Sequence, residues 1–229
     1  LESSPPRERE LLWNLIDPEL EGEVLQHLSD EVQAEFVSQM NTKELLQATE
    51  NLDTDDFADI LQQLPKTVMQ EVLTSLRQQD RERLEQVLSY PEDTAGGLMN
   101  TDVVSIRPDL TIDAVLRYLR RHDMLPETTD NLFVVTGKDR YIGLLPLTTL
   151  LVSLPNTLVL DVMDTEREAI PSDLDETDVA NLFVRNDWVS ALVVDLEGRL
   201  VGRITIDDVV DVIREEADHS LMLLAGLDE

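Results

Sequence analysis

The chain has 229 residues, 42% of them hydrophobic, enough for one large domain or two to three small ones with a packed core. Eighteen basic residues stand against 48 acidic, a formal charge of −30, which excludes the basic surface that nucleic-acid binding requires. The absence of cysteine removes disulfides, thiolate metal sites and cysteine nucleophiles.

No apolar run approaches the ~20 residues of a membrane helix, and no signal peptide is legible. The chain reads as cytosolic, and its first residue, Leu1, marks an expected piece of something longer. Charge this one-sided opposes compaction by self-repulsion. Divalent cations or a basic partner would neutralise it, while a plain acidic surface accounts for the same total.

From the N-terminus, apolar residues recur every twelve positions: Ile16, Leu28, Met40, Leu52, Leu64, Leu76 and Leu88. A second series, Val24, Phe36, Ala48, Ile60, Val72 and Leu84, runs four residues behind, one helical turn away on the same face. Asp17-Pro18, Ser29-Asp30, Asn41-Thr42, Asp53-Thr54 and Pro65 punctuate the units as N-caps or as first-turn proline. Residues 1–90 therefore read as an acidic superhelix of short helices, each burying its face against its neighbours. Acids crowd its turns, Asp55, Asp56 and Asp59 most densely. First-turn acids suit the helix dipole, which accounts for most of them.

Tyr90-Pro91-Glu92-Asp93-Thr94-Ala95-Gly96-Gly97-Leu98-Met99 follows. Pro91 ends a helix, and Gly96-Gly97 supplies backbone freedom. Residues 91–98 read as a hinge that carries two acids, Glu92 and Asp93.

Beyond it lies a duplication. Met99-Asn100-Thr101 matches Met163-Asp164-Thr165 at an offset of 64, and Arg140-Tyr141-Ile142-Gly143 matches Arg199-Leu200-Val201-Gly202 at an offset of 59. About five extra residues in the first copy fall within 122–130. Each copy reads strand–helix–strand–strand–helix: 103–106, 111–121, 132–135, 141–145 and 147–154, then 168–170, 175–186, 191–194, 200–205 and 207–224. The strands are apolar and β-branched, as in a small buried sheet between helices.

This order, ending in Gly202-Arg203-Ile204-Thr205-Ile206-Asp207-Asp208, resembles a pair of CBS domains, with copies at 99–160 and 161–220 and a connecting helix to 229. The whole chain is similar to the cytosolic part of MgtE-type magnesium channels, and the Glu92–Met99 motif is the most specific element of that likeness. The fold class implied is α plus α/β: an N-terminal superhelix followed by a tandem βαββα pair. The function implied is Mg²⁺ sensing and gating on the cytoplasmic face of the cell membrane. Bound Mg²⁺ would bridge acidic surfaces in a compact closed state, and its loss would open the pore. The partners implied are a homodimer through the CBS domains and a membrane pore domain of the same full-length chain.

Mg²⁺ keeps several waters and takes one or two carboxylates per site, so acids from facing surfaces suffice. The resemblance carries over Asp195, Glu197 and Asp207 as metal-binding acids, then Glu92 and Asp93. On the superhelix Asp56 and Asp59 are candidates, with Asp55 beside them. On the last helix Asp211, Glu215, Glu216 and Asp218 are candidates. Each has a plain alternative as a solvated surface carboxylate.

The CBS resemblance also implies a rival ligand, an adenine nucleotide, ATP or AMP, which Thr205 and Asp208 would address; the same two residues also fit a helix capping box. The first copy has Pro146 and Thr149 in their places, so at most one such site per pair is expected. His27 reads as a surface residue and Trp188 as core. His122 and His219 lack partners at zinc spacing. No nucleophile–base pair or phosphate loop is present, so an enzyme is not expected.

Overall fold

The computed structural model describes residues 1, 4–17, 20–50, 52–122, 124–126 and 128–225, with the side chains of 6, 30, 215 and 218–225 left aside. It divides into two compact units, Leu1–Ser89 and Tyr90–Glu229.

The first unit comprises α1 (Pro6–Trp13), α2 (Glu21–Gln26), α3 (Asp30–Val37), α4 (Thr42–Ala48), α5 (Thr54–Gln62), α6 (Lys66–Ser75) and α7 (Gln78–Val87). From α3 onward the N-cap falls every twelve residues, at Ser29, Asn41, Asp53, Pro65 and Arg77. Asn41 closes a reciprocal box: its side chain accepts from the Lys43 and Glu44 N–H groups, and Glu44 accepts from the Asn41 N–H. Pro65 occupies the cap itself rather than the first turn.

Alternate helices pack together, α3 on α5, α5 on α7 and α4 on α6. The second apolar series forms their core: Phe36, Ala48, Ile60, Val72 and Leu84 are all buried, whereas of the first series only Leu64 is. Leu25, Val37, Leu61 and Leu73, each one residue beyond the second series, are buried as deeply. The inward stripe is therefore wider than two positions per helix. Gly22 lets α2 press onto α4, since a Cβ there would lie 2.2 Å from the Ala48 carbonyl oxygen.

The second unit contains β1 (Ser105–Ile106), α8 (Ile112–Leu119), β2 (Asn131–Val135), β3 (Tyr141–Pro146) and α9 (Leu147–Val152). Its second copy is β4 (Ile170–Pro171), α10 (Glu176–Asn186), β5 (Ser190–Val194), β6 (Leu200–Thr205) and α11 (Ile206–Ala225). Each copy has one three-stranded sheet, ordered β1-β2-β3 and β4-β5-β6, with a parallel outer pair and an antiparallel hairpin. Both hairpins bulge at the same step, Val134/Val135 and Val193/Val194. Ile112, Val115, Leu132, Val134, Leu145 and Leu150 fill the first copy. Phe133 and Leu144 meet Leu192 where the copies join.

The copies exchange their leading segments. Asn100, ahead of the first copy, pairs both ways with Arg203 of β6, at 2.8 and 2.9 Å. Asp164, ahead of the second, pairs both ways with Leu144 of β3, at 2.7 and 2.9 Å.

The expected hinge at 91–98 takes a different form. Ala95 N–H donates to Leu174 (2.8 Å), Gly96 N–H to Ser172 (2.9 Å), and Glu176 N–H to the Asp93 carbonyl (3.1 Å). The segment before the second copy repeats these bonds on the first. Val159 N–H donates to Leu110, Leu160 N–H to Pro108, and Ile112 N–H to the Thr157 carbonyl. Residues 93–100 are thus the counterpart of 157–164, and Ala95 and Val159 are both fully buried. The glycines serve close packing. A Cβ on Gly96 would lie 2.3 Å from the Tyr90 ring, and one on Gly97 would lie 2.5 Å from the Glu92 carbonyl oxygen.

Candidate functional site

In the first unit, α5 carries the densest acids. It buries Phe57, Ala58, Ile60 and Leu61, and with them Asp55, which is 5% exposed. Asp56 is half-buried and accepts a hydrogen bond from the Gln26 side chain of α2. Asp59 is exposed. Asp55 and Asp56 occupy the first turn, where the helix dipole favours a carboxylate. Density therefore does not mark one outward face: Asp55 points into the unit and Asp59 out of it. Burial, reinforced by the Glu44 charge, raises the Glu21 carboxyl above its ordinary range.

In the second unit, the turn from β5 to β6 is built by Asp195. Its carboxylate accepts from the Glu197 and Arg199 N–H groups, both at 2.9 Å, and from Arg199 Nε at 3.1 Å. Arg199 also bonds Glu197. Burial alone would raise Asp195, but these hydrogen bonds and the Arg199 charge outweigh it and hold the carboxyl below its usual range. Two of the sequence-picked acids are thus brought together with an arginine that sequence reasoning left out. The spacing was legible, since Asp195 and Arg199 flank a turn with glycine at its left-handed position, Gly198 (φ 74°).

Glu92 and Asp93 are exposed. The main-chain pairing places Asp93 beside the N-terminal turn of α10, where Asp175 caps by accepting from Thr177 N–H at 3.0 Å. The Thr177 hydroxyl donates to Glu216 of α11 at 2.7 Å. Asp207 is exposed in the first turn of α11. Asp211 is 65% exposed and pairs with Arg214 at 3.1 Å. The side chains of Glu215 and Asp218 lie outside the described residues.

Asp208 accepts from both the Thr205 N–H (2.9 Å) and the Thr205 hydroxyl (3.0 Å), closing a box at the start of α11. Pro146 is the N-cap of α9 in the first copy. Arg167 lies over Trp188, 5.4 Å from the ring centroid, and Trp188 is half-buried against Phe183.

Among the described residues no three acidic or histidine side chains converge as a closed metal cage. Mg²⁺ does not need one, because it is held through one or two carboxylates and its own waters. Glu92, Asp93, Asp59, Glu197, Asp207 and Asp211 are exposed and fit that mode. Asp195 spends both oxygens, and Asp208 its Oδ2, on local hydrogen bonds.

A family model described as the MgtE intracellular N domain matches residues 1–93, and a CBS domain model matches 95–156 and 159–215. The magnesium transporter MgtE of Thermus thermophilus is 37% identical over 223 residues, 96% of this chain and 50% of that protein. The magnesium transporter MgtE of Bacillus subtilis is 27% identical over 198 residues, 86% of this chain and 44% of that protein. The chain therefore spans about half the length of the curated relatives it matches. The crystal structure of the cytosolic domain of the Mg²⁺ channel MgtE in complex with ATP superposes with a TM-score of 0.83. It is 37% identical, over 91% of this chain and 86% of that one. The soluble part of a magnesium transporter superposes with a TM-score of 0.80 at 26% identity, over 94% of this chain and 85% of that one.

Proposed function

The chain belongs to the MgtE family, and from that membership we propose that it is the Mg²⁺-responsive regulatory region of a magnesium transporter, working on the cytoplasmic face of the membrane. The observation that carries this reading is the combined match of acidic helical unit and CBS pair to the cytosolic domain of an Mg²⁺ channel. The family is one of transporters rather than enzymes.

Bound Mg²⁺ would supply positive charge between acidic surfaces. The chain's own contribution is repulsion: carboxylates in a chain of charge −30 push the compact state apart until they are neutralised. The proposed ligands are Asp195, Glu197, Asp207, Glu92, Asp93, Asp56, Asp59, Asp211, Glu215 and Asp218. The exposed members take the ion through water, and Asp195 takes part only by releasing Arg199. A site at ten times its dissociation constant favours the bound state by about 1.4 kcal/mol. Four such sites sum to roughly 5.7 kcal/mol, enough to carry a two-state equilibrium from about 1:99 to 99:1. Weak sites thus suffice for a closed state that opens on ion loss.

The pore domain and a homodimer through the CBS pair belong to the same proposal. Leu151, Val152 and Leu154, 73%, 84% and 75% exposed, form an apolar strip on and after α9 that a second copy would cover. Small-angle scattering tests the gating reading: millimolar Mg²⁺ should shrink the radius of gyration, and an unchanged radius would refute it.

A second reading, adenine-nucleotide sensing by the CBS pair, is favoured by the relative crystallised with ATP. Here Thr205 and Asp208 would contact the ligand, at the expense of their box. Calorimetry with ATP and AMP on the chain and on Asp208→Ala decides it: equal heats for both proteins exclude this site.

A further inference from the structure

The two copies place equivalent arginines opposite each other. Arg140 and Arg199 immediately precede β3 and β6, and their main chains form an antiparallel bridge where the hairpins meet. Tyr141 N–H donates to the Gly198 carbonyl (3.1 Å), and Leu200 N–H donates to that of Asp139 (2.9 Å). Their surroundings differ. Arg199 is neutralised by Asp195 and Glu197. At the matching positions of the first copy stand Thr136 and Lys138. Among the described residues the Arg140 guanidinium makes no ion pair, in a chain where acids outnumber bases 48 to 18.

Arg140 lines a cavity of about 380 Å³ together with Thr136, Tyr141, Ile142, Ala169 and Val194. That volume suits a small metabolite. Gly198, in the left-handed region at φ 74°, also lines it. Ile142, Ala169 and Val194 give an apolar wall. The Tyr141 hydroxyl is fixed by donating to the Arg167 carbonyl at 3.0 Å. The donors on offer, a guanidinium and the Thr136 hydroxyl with exposed Lys138 in the same turn, suit an anion with several oxygens. The cavity uses the hairpin ends of the strands, whereas Thr205 ends β6 five residues on, about 16 Å along an extended strand.

We propose that this cavity is an anion site in which Arg140 holds the phosphate group of a small metabolite against the apolar wall. The acid pair of the second copy is what abolishes the equivalent site there. The inference stands apart from the Mg²⁺ reading, since it makes no use of compaction or of the acidic surfaces.

Calorimetry on the 229-residue chain, without Mg²⁺, tests it with inorganic phosphate, AMP and ATP as probes. Binding should weaken about tenfold to a hundredfold in Arg140→Gln, the range of a lost charge-assisted hydrogen bond. The double variant Thr136→Asp/Lys138→Glu, which copies the second turn into the first, should weaken it similarly with an unchanged melting temperature. Equal affinity for phosphate and AMP assigns the site to the free ion; tighter AMP assigns it to a nucleotide. No binding of any probe at millimolar concentration overturns the proposal. So does phosphate binding that survives Arg140→Gln.

Discussion

Replacing Gly96 with alanine separates two roles for the Gly96-Gly97 pair. If the glycines supply freedom, alanine should leave the native second unit intact and stiffen it. The geometry gives another outcome. A Cβ on Gly96 would stand 2.3 Å from Cγ, 2.5 Å from Cδ1 and 2.8 Å from Cβ of Tyr90, the near end of a ring that cannot swing clear. A Cβ on Gly97 would stand 2.5 and 2.6 Å from the Glu92 and Pro91 carbonyl oxygens. Overpacking of this kind costs about 1–3 kcal/mol, and the gain from a stiffer unfolded chain returns about 0.4–1 kcal/mol. A net loss near 1–2 kcal/mol lowers the melting temperature of the second unit by roughly 2–8 °C. Thermal melts followed by Trp188 fluorescence in a Trp13→Phe background read that unit alone, since the chain has 2 tryptophans. Tyr90→Ala should restore much of the loss in Gly96→Ala, a coupling of at least about 0.5 kcal/mol. It should restore none in Gly97→Ala, whose clash is with main chain. Unchanged melting temperatures for both alanine variants would refute the packing role and return the pair to a hinge.

The turn acid Asp195 has a depressed carboxyl, so its stabilising contribution is present above the ordinary carboxylate range and fades as pH falls through the folded value. Side-chain carbonyl NMR should show it titrating below its usual midpoint, and moving up in Arg199→Ala. Asp208→Ala removes both acceptor bonds at the start of α11 and should cost about 0.5–2 kcal/mol by denaturant melt. Glu21 has the opposite sign: its raised carboxyl destabilises the folded unit above its own midpoint. Glu21→Gln should therefore raise the melting temperature at neutral pH and have no effect in acid, where Glu21 is already protonated.

The twelve-residue period and the doubled βαββα order were legible because each repeats a local pattern, and the caps at Ser29, Asn41 and Asp53 fall where the turn chemistry indicated. The series through Leu25, Val37, Leu61 and Leu73 escaped notice because Thr49 interrupts it; Thr49 is buried and satisfied by donating to the Leu45 carbonyl at 2.8 Å. At the joint, the close packing of the glycines was not legible for a different reason. Two adjacent glycines suggest freedom, yet here Gly96 N–H donates to Ser172 of a distant loop, Gly97 N–H donates to Thr94, and the Tyr90 ring fills the space beside Gly96. The signal was in the sequence: extended upstream, the offset of 64 aligns Ala95 with Val159 and Leu98 with Val162. Among the candidate acids, exposure and pairing were not legible. Whether Asp55 turns inward or Asp195 meets Arg199 depends on packing and turn geometry rather than on local charge density.

The exchange of leading segments sets a timetable for synthesis. As the chain leaves the ribosome, β3 keeps a raw edge until Asp164 arrives to bond Leu144. Asn100 waits longer, for Arg203 lies 103 residues behind it, roughly 5–20 s at ordinary rates of translation. During that interval the first copy is an unfinished half with open hydrogen-bonding groups on its rim, and a neighbouring nascent chain can offer the same complement. The two halves of the duplication thus lean on each other: a chain stopped between Asp164 and Arg203 would leave Asn100 without the main-chain partner that the second copy supplies.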